Sequence, residues 1–62
     1  MKSLNTMVEQ LTALIGTADL NNWETDFMVS VSEQVETRKT TVYLSSKQIE
    51  NIEKIYIKNF GD

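Results

Sequence analysis

A chain of 62 residues makes one domain, and a domain this short buries only about 60% of the surface its unfolded form exposes. It has no cysteine, which excludes disulfide or thiolate–zinc reinforcement, and no histidine, which removes the commonest general base and metal ligand. The net charge of −3 conceals an asymmetry. Residues 1–37 carry one lysine against six acids, and residues 38–62 carry five bases against three acids. Such an imbalance either steers association or pairs the two halves internally.

No apolar run exceeds three residues, far short of the ~20 that a membrane helix needs. The opening MKSLNTMVEQ is broken by polar residues and a glutamate, unlike the apolar core of a signal peptide. The expectation is a soluble, cytoplasmic protein without a membrane partner. A small core without staples often gains stability by oligomerising, and a homodimer is the simplest form.

In chain order, Ser3 to Ile15 reads as a first helix. Leu4, Met7, Val8, Leu11, Leu14 and Ile15 form one apolar stripe of period 3.6, and Gly16 stands where a helix stops. The stripe faces a core, although Leu4 with Leu11 and Met7 with Leu14 also fit a short seam for a second copy or partner. Thr17 to Asn22 is a polar connector, in which Asn21 with Glu24 resembles a capping box.

A second helix is expected from about Asn22 to Thr37. Trp23, Phe27, Met28, Val31 and Val35 share a face, with Leu20 on the same side, and aromatics at this spacing usually pack. The spacing therefore predicts Trp23 and Phe27 in the core. On the opposite side Asp26, Val29, Glu33 and Glu36 form an acidic ridge with a valine set in it. Such a ridge is either a solvated face or a surface for a basic groove on a partner protein.

Arg38 to Leu44 contains Thr40, Thr41, Val42 and Tyr43, all favouring extended backbone. Val42 and Leu44 would face one side of a strand, Thr41 and Tyr43 the other. No second strand candidate is evident, so the segment is an extended connector or pairs with its equivalent in a second subunit. The last helix starts cleanly: Ser45 with Gln48 fits the S-x-x-Q capping box, and Leu44 with Ile49 fits a hydrophobic staple. Ile49, Ile52, Tyr56 and Phe60 recur on one face, Ile55 and Ile57 flank it, and Gly61 is a natural stop.

No catalytic set is visible. With only Gly16 and Gly61, no phosphate cradle can form, and the carboxylates lack a histidine to complete a metal site. Glu50 and Glu53 are one turn apart, and Lys47 and Lys54 stand three and four residues from Glu50, a spacing that ordinary helical ion pairs explain. The expectation is a non-enzyme with neither cofactor nor metal.

Two resemblances add to this reading. Trp23-Glu24, Phe27, Ser30 and Gln34, followed by Leu44-Ser45-Ser46-Lys47-Gln48 and Ile52-Glu53-Lys54-Ile55-Tyr56, resemble a short helical module of small phage and prophage-type proteins and of segments of DNA-processing proteins. That likeness covers about residues 21–58. The stretch TTVYLSSKQIENIEKIY also looks like the strand and first helix of ribbon–helix–helix repressors. In that family, paired strands of a dimer enter the major groove, which would assign nucleic-acid contacts to Arg38, Lys39, Thr41, Tyr43 and Lys47. That family has a second helix after the first, and the acidic helix preceding this segment is a poor companion for phosphate.

The sequence thus predicts an all-helical domain over residues 1–62, with three helices and an extended segment before the last. Its expected role is that of a small acidic phage-type accessory protein in the host cytoplasm, an inhibitor or modulator of a protein of nucleic-acid metabolism. Asp26, Val29, Glu33 and Glu36 are its expected contacts. The alternative is a dimeric DNA-binding transcriptional regulator.

Overall fold

The computed structural model describes residues 3–61. Met1, Lys2 and Asp62 lie outside them, Lys2 and Asp62 having entered the charge tally above. Three helices account for the regular structure: α1 (Leu4–Thr12), α2 (Asn22–Arg38) and α3 (Ser46–Phe60). The all-helical class and the helix count are as expected, and no strand occurs among the described residues.

Each helix begins on a side chain that satisfies amides the helix itself leaves free. Ser3 Oγ accepts from the Thr6 N–H at 3.2 Å. Asn21 Oδ1 accepts from the Glu24 N–H at 2.7 Å, and the Asn21 N–H donates back to Glu24 Oε1 at 3.0 Å. Ser45 and Gln48 repeat that reciprocal pair at 3.1 and 2.8 Å. Both capping boxes are therefore formed.

α1 is shorter than its apolar stripe implies. After Thr12 the chain tightens into turns, with the Leu14 N–H on the Leu11 carbonyl at 3.0 Å and the Ile15 N–H on the Thr12 carbonyl at 3.1 Å. These i→i+3 bonds keep Leu14 and Ile15 packed against the core without extending the helix. Gly16, at φ +89°, then reverses the chain, a conformation that costs glycine little.

The segment before α3 is turned, and its side chains do not alternate. Lys39 closes α2 in a left-handed conformation at φ 60°. Thr40 Oγ1 accepts from the Val42 N–H, and the Leu44 N–H donates to the Thr41 carbonyl, both at 3.1 Å. Leu44 is buried while Val42 is 80% exposed, so the two part company. The β-propensity of these residues finds no ladder here, and local hydrogen bonds win.

The core joins Met7, Val8 and Leu11 of α1, Leu20, Met28 and Val31 of α2 and its approach, and Leu44, Ile52, Ile55 and Tyr56 from the last third. α1 packs on both longer helices. Two side-chain bridges tie those helices together: Gln48 Nε2 donates to Gln34 Oε1 at 2.9 Å, and Lys58 Nζ reaches Glu24. The bridges are ten residues apart on each helix, about 15 Å of rise, so α2 and α3 run antiparallel and in step.

Trp23 departs from expectation. It is 58% exposed, and Phe27 is only partly buried. The buried line on α2 runs Glu24, Met28, Val31 instead. At about 100° per residue, Trp23 lies about 140° round from Met28, beyond the edge of the buried face. Phe27 covers part of it: the two rings stack with centroids 5.3 Å apart and planes 5° from parallel.

Candidate protein-interaction surface

The ridge on α2 follows from helical geometry. At about 100° per residue, Asp26, Val29, Glu33 and Glu36 occupy about 80° of arc, on the side away from Met28 and Val31. All four are exposed. Among the described residues their carboxylates make no ion pair. Glu33 and Glu36 share a shallow surface concavity with Thr37 and Lys39. The ridge is thus a solvent-facing strip of negative charge held on a rigid element, with one apolar position within it.

Glu24, two residues before Asp26 and on the buried side of α2, is an acid of a different kind. Only 6% exposed, it accepts from the Asn21 N–H and takes both of its oxygens to Lys58 Nζ, at 3.1 and 2.9 Å. The Asn21 hydrogen bond, then the Lys58 hydrogen bond and charge, hold its carboxyl below the usual carboxylate range of about 4.5 against the opposing effect of burial. It occupies a position where the α2 stripe would otherwise carry an apolar residue. The sequence offered one signal for this, the capping-box spacing, which turns the side chain back over the helix start.

The residues expected to contact nucleic acid are not arranged as a ribbon. Arg38 lies over the Tyr43 ring, 4.7 Å from its centroid, a cation–π contact. Lys39 lines the same surface concavity as Glu33 and Glu36, Thr41 is half-buried in the turn, and Lys47 stands on the first turn of α3. Gln34 Nε2 further anchors the turn by donating to the Tyr43 carbonyl at 3.4 Å.

Among the described residues, no group of three or more histidines, cysteines, aspartates or glutamates could hold a metal ion. No helix among them is long and apolar enough to cross a membrane. Comparison with protein-family models, curated proteins and solved structures finds no match for this chain.

Proposed function

We propose that this protein is a small non-enzymatic accessory protein that binds and modulates a protein of nucleic-acid metabolism through the acidic face of α2. The observation that carries the reading is the exposure of Asp26, Val29, Glu33 and Glu36 as one strip without internal ion pairs, while neighbouring Glu24 is consumed by Lys58. A spaced row of carboxylates mimics the charge of a nucleic-acid backbone. It complements a groove lined with lysine and arginine, where charge sets on-rate and register. The phage-type origin rests on the W-E-x-x-F and L-S-x-K-Q resemblance alone. The competing reading, a dimeric regulator binding DNA through residues 38–47, is disfavoured by the turned connector and by Arg38 stacking on Tyr43.

Affinity capture from a bacterial lysate, with the captured protein identified by mass spectrometry, tests the reading beside a titration of duplex DNA at two salt concentrations. The expected result is a nucleic-acid-binding protein on the beads and no duplex binding even at low salt. Tight, salt-sensitive duplex binding by this chain itself would overturn the proposal, because counterion release is the mark of direct phosphate contact.

A further inference from the structure

The outer face of the α2–α3 pair carries more than the ridge. On α2, Asp26 and Glu33 are exposed and seven residues apart; on α3, Lys47 and Lys54 are exposed and also seven apart. Among the described residues none of the four has an ion-pair partner. Because the Glu24–Lys58 and Gln34–Gln48 bridges set the two helices in step, Lys54 stands level with Met28 and Lys47 level with Val35. Each lysine is therefore two residues off the level of one acid, about 3 Å along the axis. The stagger is the same for both pairs. Trp23 projects on the α3 side of the acidic line, about 60° round from Asp26, and leaves more than half of its surface in water.

We infer that this face binds a second copy of itself, as a two-fold dimer in which α2 of each chain lies over α3 of the other. A two-fold axis lying in the face and parallel to the helices exchanges the two helices while keeping every residue at its own level. It sets Asp26 against Lys54 of the second copy and Glu33 against Lys47 of the second copy, and symmetry makes each pair twice. The two Trp23 side chains, being at equal height near the start of α2, meet across the axis as an apolar anchor at one end of the charged rows, and tryptophan is among the residues that contribute most to an interface. The negative N-terminal half and positive C-terminal half of the chain are then neutralised between subunits. Glu50, between the two lysines on α3 and close to the level of Glu33, is the one mismatched charge on the stripe.

Sedimentation equilibrium from micromolar to millimolar protein tests the dimer, with circular dichroism confirming the fold of each variant. The wild type dimerises, more weakly as salt rises. Its Trp23 emission is water-like in the dilute monomer and shifts to the blue on association. Trp23→Ala weakens the dimer by about tenfold or more. Asp26→Lys with Glu33→Lys, and separately Lys47→Glu with Lys54→Glu, each give monomers that form a heterodimer when mixed. Glu50→Lys tightens the wild-type dimer. A wild type that stays monomeric at millimolar concentration overturns the inference, and so does a mixture of the two reversed variants that fails to associate. The dimer and the proposed partner compete for Asp26 and Glu33, and the two readings separate at Trp23→Ala: it weakens the dimer, leaves the acidic ridge intact and free, and should capture the partner at least as well as the wild type.

Discussion

Replacing Lys58 by methionine keeps the aliphatic stem of the side chain and removes the ammonium that meets Glu24. An exposed ion pair contributes about 0.2–1 kcal/mol, while breaking a fully buried one costs about 3–5 kcal/mol. This pair is mixed: the Glu24 side chain is 8% exposed and that of Lys58 is 55% exposed. Water reaches the ammonium and screens it, which places the cost of Lys58→Met at about 1–2 kcal/mol. For a domain of this size the midpoint of thermal unfolding should fall by roughly 5–15 °C. Glu24→Gln retains a side-chain acceptor for the Asn21 N–H, since glutamine also serves at that capping-box position. A double-mutant cycle of the two changes then isolates the charge interaction, expected near about 1 kcal/mol. The pH dependence has a definite sign. The folded-state pKa of Glu24 lies below its ordinary value of 4.5. Its contribution is therefore complete above that value and is lost as pH falls through the folded pKa. The gap between wild type and Lys58→Met should hold constant through neutral pH and close on acidification. Calorimetry at neutral and acidic pH reads both effects. A variant melting at the wild-type temperature, or a gap that persists unchanged into acid, would refute the reasoning.

Two further stability predictions concern the helix ends. Ser45→Ala removes the acceptor for the Gln48 N–H and should cost about 0.5–2 kcal/mol, read as a lower unfolding midpoint; an unchanged midpoint would mean that α3 takes nothing from this cap. Lys39→Gly relieves a side chain held at φ 60° and should raise stability by up to about 1 kcal/mol, because the left-handed conformation costs glycine little. Chemical denaturation at constant m-value is the appropriate check, and a destabilised Lys39→Gly would show that the lysine side chain itself contributes packing.

What could be read from the sequence was local. Both capping boxes, the Gly61 stop and the exposed arc of Asp26, Val29, Glu33 and Glu36 depend on residues within one or two turns of each other, and all are formed; Gly16 is not the stop of α1, which ends at Thr12 with Ala13 as its cap. The features that the sequence misdirected depend on what packs from elsewhere. Trp23 sits at the edge of the α2 stripe, where its size argues for the core but its phase points past it. Whether an edge residue is covered depends on how close α3 approaches, which α2 alone does not encode. Glu24 shows the converse, since its burial requires Lys58 from the far end of the chain. The segment Thr40–Leu44 has strand-forming residues but no ladder to join, so turn hydrogen bonds decide its course. α1 ends before its apolar stripe does, and Leu14 and Ile15 still pack against the core from the turns that follow.

The acidic ridge as a binding surface is tested most directly by reversing it on the folded protein. Asp26→Lys, Glu33→Lys and Glu36→Lys together alter exposed charges and, at dilute concentration where the wild type is also monomeric, should leave the helical signal and melting temperature close to those of the wild type. Binding of the captured partner, measured by calorimetric titration, should be abolished by this triple variant and little affected by neutralising Arg38, Lys39 and Lys47. Retained affinity in the folded triple variant, with loss on neutralising the basic set, would contradict the account.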